Sequence, residues 1–474
     1  MGIRSATTEA TATRVPPKPG LSHLEGIDGI RAIAALAVFA THWAALTPLG
    51  GDPVLGIWWS QLNIGVSIFF VLSGFLLYRP FVAAALASAP QPRLGPFLVR
   101  RAFRIYPAYW VAFAFDMWIG WQFRLETGIG WLTNIILVDD YFQNAEPTRG
   151  LPQSWTLVVE VGFYLFLPVF VLFSRRILRR TQKVASPTPN GLRTATLSTE
   201  TLSTESLSTK SVSSQPLSTN AESASSIEIR LRNQVAALGV IGIGSMLAVQ
   251  FGRLPAAVEG IDIWHFEIHP FSFFRWLGMF AAGMALALAW NRERSGSSIQ
   301  WLQAAARHPA RCWLGALALF TILNEAVGMD VGDGAAPIEN WQWAARHLLH
   351  IAIAVLLILP AVTRPTSTST SLRPRESRIR AFLGHPTMVF LGTASYGIYL
   401  WHFGILVFLG REWLTEAING DVIQVTLLGL VALALTTAFG WLSYRAIEAP
   451  AQRLARQLTR APSLRQPASA STGQ

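Results

Sequence analysis

The sequence predicts an all-α fold: a polytopic membrane bundle of about ten transmembrane helices, with both termini in the cytoplasm. Three observations carry that prediction. Of the 474 residues, 51% are hydrophobic and only 14% are charged, against about a quarter charged in an ordinary soluble domain. Apolar runs of about 20 residues, the length that crosses a hydrocarbon core, recur along the chain. The cations alternate by side. With the N-terminus inside, 27 of the 38 Lys and Arg residues fall in inside segments, 4 in outside segments and 7 within spans. That is the asymmetry of the positive-inside rule.

The predicted spans are 27–46, 62–84, 103–120, 157–174, 234–252, 269–290, 311–328, 344–363, 388–409 and 422–445. A shorter apolar stretch at 129–142 carries Asp139 and Asp140 and reads as an interfacial or re-entrant helix on the outer side. Residues 1–26 form a polar cytoplasmic tail without the small-residue cleavage site of a signal peptide, so the first span is expected to stay as an anchor. Residues 27–174 are a front group of spans. Residues 175–233 open with Arg175-Arg176-Ile-Leu-Arg179-Arg180, a stop signal, and continue as an imperfect repeat of the form Leu197-Ser-Thr-Glu. One apolar residue in five cannot bury a core, so this segment reads as a disordered cytoplasmic loop. Residues 234–446 are a rear group, and 447–474 a cytoplasmic tail. No external loop is long enough for an outer soluble domain. The net charge of +11 is topogenic and faces anionic lipid rather than nucleic acid. Cys312 is the only cysteine, so no internal disulfide forms.

Five clusters carry chemistry. The first span holds Gly26-Ile-Asp28-Gly-Ile-Arg31 and then His42. Eleven residues at about 100° each return His42 to nearly the azimuth of Arg31, about 16 Å along the helix. Charged and titratable groups at membrane depth are costly and mark function. A cation and an imidazole on one stripe suit an anionic ligand and proton transfer. Snorkelling of both groups to opposite headgroup layers is the competing reading. In the second span, the Ser73-Gly74 pair lets a helix or a ligand approach the backbone.

Arg100-Arg101-Ala-Phe-Arg104-Ile-Tyr-Pro107 opens the third span. Arg101 and Arg104 share a face, and a cationic patch at a helix N-terminus suits a phosphate-bearing ligand. A topogenic stop is the alternative. Ser154-Trp-Thr156 offers N-caps to the fourth span, and Glu160 follows one turn inside with Tyr164 four residues on. A carboxylate there needs a partner or its own proton. Ser395, Tyr399 and His402 form a polar stripe at i, i+4, i+7. It either lines a polar cavity or satisfies an interhelical hydrogen-bond network.

Together these motifs resemble the acyltransferase-3 family of integral membrane acyltransferases, which includes cell-surface sugar O-acetylases and macrolide O-acyltransferases. The resemblance rests on the Asp-Gly-x-Arg start ahead of His42, the Phe69-Phe-Val-Leu-Ser-Gly-Phe75 run and the Arg-Arg-x-x-Arg-x-x-Pro patch. It also rests on Ser-Trp-Thr-Leu-x-x-Glu-x-x-Phe-Tyr, Ser-Tyr-x-Ile-Tyr-Leu-x-His, and Glu448-Ala-Pro450-Ala-Gln-Arg453-Leu. It covers about 24–175 and 385–454; the middle carries almost nothing specific. It implies transfer of an acyl group, usually acetyl, from cytosolic acyl-CoA to a hydroxyl, without a metal. The acceptor would be a cell-surface glycan or glycolipid, or a macrolide, reached from the plasma membrane. Carried over, His42 and Arg31 are catalytic candidates, and Arg101 with Arg104 suit the CoA phosphates. Beside them Glu160 reads as catalytic, Arg100 and Ser73 as donor-binding, and Asp28, Tyr164, Ser395, Tyr399 and His402 as acceptor-side residues. Relatives often add a C-terminal outer esterase-like domain, and none is expected here. A lipid transporter using the same polar groups, or a sensor with a degraded site, are the readings from other classes.

The repeat has no periodic apolar face. Deleting 186–224 while keeping Arg175 to Arg180 is expected to preserve topology. Loop length costs stability only slowly, so transfer activity of the purified deletion should stay within about threefold of the intact chain. Complete loss in a well-inserted deletion would show that the loop docks or regulates something.

Overall fold

A computed structural model of the chain describes residues 24, 26–52, 55–87, 89–119, 125, 128–141, 150–185, 232–247, 262–263, 266–267, 271–327, 339–364, 377–409 and 422–460. The Leu-Ser-Thr repeat and both polar tails beyond these bounds lie outside the described residues. The described part is helices joined by short turns and linkers, with one antiparallel pair of two-residue strands, Asp262–Ile263 with Phe266–Glu267. Eight of its helices are long and apolar enough to cross a membrane.

The helices that matter for the site are α1 (Gly26–Ala45), α2 (Leu55–Ser60), α3 (Ile64–Leu86), α4 (Leu94–Ile119), α5 (Gly128–Ile135) and α6 (Trp155–Ala185). Helix α7 spans 232–247. Next along the chain are α8 (Phe271–Arg294), α9 (Gln300–Arg307), α10 (Pro309–Ile322), α11 (Asn340–Val362), α12 (Arg378–Leu383) and α13 (Pro386–Leu409). Last come α14 (Val422–Ser443), a wide π-helical turn at Tyr444–Glu448, and α15 (Ala449–Leu458). The expected third and fifth spans fall on α4 and α7. Four charged residues, Arg100, Arg101, Arg104 and Asp116, make α4 more polar than the other spans. The stretch read as interfacial is α5, with a 3₁₀ turn after it at Asp139–Tyr141.

Two boundaries differ from the sequence expectation. Helix α6 runs to Ala185, through the arginine stop signal, because nothing between 175 and 185 breaks a helix. Helix α4 starts at Leu94, not at the arginines. Gly95-Pro96 supplies a helix start with proline in the first turn, and Phe97-Leu-Val99 continues it. Arg100, Arg101 and Arg104 therefore lie inside the helix, where the amides are already paired. Their anion affinity rests on guanidinium charge, not on a helix N-terminus.

The bundle packs by the rules of a membrane interior. On α6, Val158, Phe163 and Leu167 are buried while Leu165, Val169 and Phe173 stay exposed, as a lipid-facing stripe requires. Helices α3 and α8 approach at backbone distance through a glycine pair. A Cβ on Gly74 would collide with the Phe280 carbonyl, and one on Gly283 with the Val71 carbonyl. The expected close approach at Ser73-Gly74 is thus made by α8. Phe70 stacks on Phe280 at 4.8 Å between ring centres, and Phe163 on Phe280 at 4.1 Å. Gly392 plays the same part where α13 meets the Asp28 backbone of α1.

Gly74→Val is expected to destabilise the folded bundle by about 1–3 kcal/mol or more, the range for forced overpacking. Gly239→Val, where a side chain meets open space, should be nearly neutral. Thermal unfolding of the detergent-solubilised variants, monitored by size-exclusion profile, checks both.

Candidate active site

Five helices close around one cavity of about 310 Å³, near the lower end of the roughly 300–1,000 Å³ of ligand sites. Helix α1 contributes Arg31, α3 Phe69, Phe70 and Ser73, and α4 Arg101 and Arg104. Helix α6 contributes Thr156 and Glu160, and α13 Ser395, Tyr396 and Tyr399. Seven of the residues singled out in the sequence meet on this wall. Five do not: Asp28, His42, Arg100, Tyr164 and His402 lie off it.

Three guanidinium groups against one carboxylate make the wall net positive. Glu160 accepts hydrogen bonds from Tyr164 OH at 2.6 Å and Ser73 Oγ at 3.2 Å. Its partners are thus hydroxyls, and Tyr164 and Ser73 serve it from α6 and α3. Asp28 Oδ1 stands 3.8 Å from Arg31 Nη1. Glu448, 3% exposed, lies within Coulombic reach of Arg31 and Arg104 and sits on the π-helical turn. Arg101 lies over the rings of Phe97 and Tyr164, at 5.8 and 5.9 Å.

Two buried polar atoms on the cavity residues, Arg101 Nε and Ser395 Oγ, have no hydrogen-bond partner among the described residues. Buried polar atoms are rarely left so, and both suit a polar ligand. Among the described residues no group of three His, Cys, Asp or Glu is placed to hold a metal ion.

Tyr399 is fixed by Thr156 Oγ1 at 2.5 Å and by its own donation to the Gln153 carbonyl at 3.1 Å. Thr156 also reaches the Gln153 carbonyl, at 3.2 Å, and Ser154 Oγ turns to Asp139 Oδ2 at 3.5 Å. Thr156 works in the site wall and Ser154 pairs with Asp139, rather than serving as the N-caps the sequence suggested. A 3₁₀ turn at Pro152–Ser154 opens α6 instead.

His42 and His402 form a pair beside the cavity, one turn beyond Tyr399. Their ring centres are 4.9 Å apart, and His402 Nε2 is 3.3 Å from His42 Nδ1. A carbonyl can only accept, so the ring nitrogens facing carbonyls must carry hydrogens. His42 Nδ1 donates to the Val38 carbonyl at 2.8 Å, and His402 Nδ1 to the Tyr399 carbonyl at 2.6 Å. Neutral His42 therefore keeps its lone pair on Nε2.

Arg100 is turned away. Its Nη1 reaches Thr459 Oγ1 at 3.3 Å, and it lines a separate basic depression with Arg453, Arg456 and Arg460.

A family model described as "Acyltransferase domain" matches residues 24–186 and 229–445. The chain belongs to the acyltransferase-3 family. It is 24% identical over 449 residues to "Putative peptidoglycan O-acetyltransferase YrhL" of Bacillus subtilis, covering 90% of this chain and 55% of that one. It is 30% identical over 170 residues to "Acyltransferase MdmB" of Streptomyces mycarofaciens, covering 34% and 42%. To "Nodulation protein 10" of Rhizobium leguminosarum it is 28% identical over 183 residues, covering 32% and 46%. The chain thus spans about half the length of the curated relatives it matches. No solved structure matches it. The matched acyltransferase residues hold every helix of the cavity.

Sequence reasoning missed Gln153, Thr156, Tyr396 and Glu448 as parts of the site. Glu448 stood in a quoted motif but had no assigned role. Its place depends on a wide turn that hydrophobic periodicity does not reveal.

Tyr164→Phe leaves Glu160 with only the Ser73 hydroxyl. Losing one partner of a buried polar group costs about 1–3 kcal/mol. Thermal unfolding should register a loss in that range, with a smaller one in Ser73→Ala, whose bond is longer.

Proposed function

We propose that the chain is a membrane O-acyltransferase that moves an acyl group, usually acetyl, from acyl-CoA to a hydroxyl of a cell-surface glycan or glycolipid. The observation that carries this reading is the meeting of Arg31, Arg101 and Arg104 with Glu160 on one cavity in a chain of this family. The charge asymmetry of the loops supports a cytoplasmic donor side and a multi-pass plasma-membrane location. The name of the Bacillus relative supports a glycan acceptor.

In this reading Arg101 and Arg104 hold the donor's phosphates, and Arg31 faces the thioester end. His42 is the general base. The acceptor's O–H proton passes to His42 Nε2 as its oxygen attacks the thioester carbonyl carbon. The carbon–sulfur bond then breaks, and the CoA thiolate takes the proton from the imidazolium. The Val38 carbonyl, which accepts the His42 Nδ1–H at 2.8 Å, orients the ring and steadies the imidazolium as it forms, in the manner of the third member of a catalytic triad. The off-wall position of the histidine pair, one turn from Tyr399, suits a base that meets the acceptor as it arrives at the donor.

His42→Ala is expected to abolish transfer while acyl-CoA binding persists. Near-normal turnover would overturn the assignment. The Arg101→Ala/Arg104→Ala variant should weaken acyl-CoA binding by a few kcal/mol, at about 1.5–3 kcal/mol per charge-assisted contact, measured calorimetrically on folded protein. Unchanged affinity would remove the pair from the donor site. Movement of lipid without CoA-dependent transfer would support a transporter instead.

A further inference from the structure

A second cavity, of about 190 Å³, lies beside the first and shares Val66 with it. Its volume is several times the roughly 30 Å³ share of one liquid water. Its wall comes from the opposite end of the bundle to the Arg100–Arg456 depression: Asn63, the start of α6, the start of α8, and one face of α11. Helix α11 presents Trp343, Arg346, His347 and His350 to it at i, i+3, i+4, i+7. This pattern lies in the stretch where the sequence carried almost nothing specific.

The lining is unlike that of a sealed membrane core. Arg275 and Arg346 bring two cations, and Trp155, Trp276 and Trp343 three indoles. Trp155 and Trp276 pack together at 5.1 Å, and both meet Phe70 of the first cavity edge-on, at 6.4 and 5.9 Å. Arg346 lies 5.4 Å over the Trp343 ring. His347 and His350 are 5% and 4% exposed, and the Nε2 of each has no hydrogen-bond partner among the described residues. Ser67 Oγ holds His350 Nδ1 at 3.0 Å, which fixes the orientation of a ring that lines the cavity. An unmet, oriented polar atom in a largely apolar pocket is a specificity element, because a ligand that fails to pair it pays the desolvation cost.

We propose that this cavity is an acceptor subsite for an anionic sugar. The apolar face of a pyranose ring lies on the indoles, whose π faces are electronegative. The His347 and His350 Nε2 atoms bond its hydroxyls. Arg275 and Arg346 hold a carboxylate or phosphate substituent. The shared Val66 wall brings a hydroxyl of that sugar next to the donor cavity. The inference rests on the O-acyltransferase reading and adds the acceptor's charge and the residues that read it.

The test is tryptophan fluorescence of the full chain in nanodiscs of zwitterionic lipid, titrated with glucuronic acid, glucose 6-phosphate, glucose and inorganic phosphate. The two anionic sugars are expected to bind at least about tenfold more tightly than glucose, in line with a charge-assisted contact. Phosphate alone should compete without reproducing the indole signal. The Arg275→Gln/Arg346→Gln variant should lose the preference, and His347→Phe should weaken all three sugars. Acyl-CoA binding should stay unchanged in both.

Equal binding of glucose and glucuronic acid, or a preference that survives the double variant, would overturn the subsite. So would loss of the sugar signal when anionic phospholipid is added to the nanodisc, which would mark a lipid headgroup site. If acyl-CoA does not bind while the sugar preference holds, the transferase reading fails and the sugar site stands.

Discussion

Guanidinium groups inside a membrane bundle set the terms for everything around them. Arg31, Arg101 and Arg104 face one cavity inside the bundle, and a bare cation at the centre of a membrane helix costs about 2.5–3.5 kcal/mol even on the mildest scale. The fold answers with carboxylates from three separate places: Asp28 on α1, Glu160 on α6 and Glu448 on the π-helical turn. None is next to the group it balances except Asp28. The helices have to meet for the charges to be tolerable, so the electrostatics and the tertiary fold are one constraint. Of the three carboxylates only Glu160 lines the cavity, so the wall itself stays net positive.

Helix α3 is the other organising element. Its Gly74 edge is pressed against α8, while Ser73 serves the first cavity and Ser67, two turns before Gly74, the second one. In lipid there is little hydrophobic drive between helices, so close backbone contact and side-chain hydrogen bonds do the holding. The aromatic rings of Phe70, Phe163 and Phe280 fill the space that the glycines open. Both cavities are therefore built on the close-packed α3–α8 seam, which keeps their polar groups in register.

The fold class and seven residues of the first cavity wall were legible in the sequence. Apolar runs and loop charges report helices directly. Residues such as Arg31, Glu160 and Ser395 stand out because polar groups are rare within spans. Start points of helices were less legible. The arginines read as the start of the third span, yet the helix begins at Leu94 and takes them inside it. Side-chain direction was illegible too. Ser395, Tyr399 and His402 share a stripe, but the first two turn to the cavity and the third to His42. The Trp343–His350 face was missed because histidine, arginine and tryptophan near a span end also read as interfacial anchors.

The π-helical turn at Tyr444–Glu448 has a consequence for how the last long helix is divided. Each residue added to a helix rotates the rest of the rod by about 100°, and a wide turn absorbs one such residue without breaking the rod. Above it, α14 shows Leu427, Leu430 and Leu442 to lipid. Below it, Arg453 and Arg456 of α15 join Arg100 of α4, and Glu448 at the junction turns toward Arg31 and Arg104. One continuous rod thus carries two faces out of phase, a hydrocarbon wall and a charged latch. The slip between them is a single residue wide.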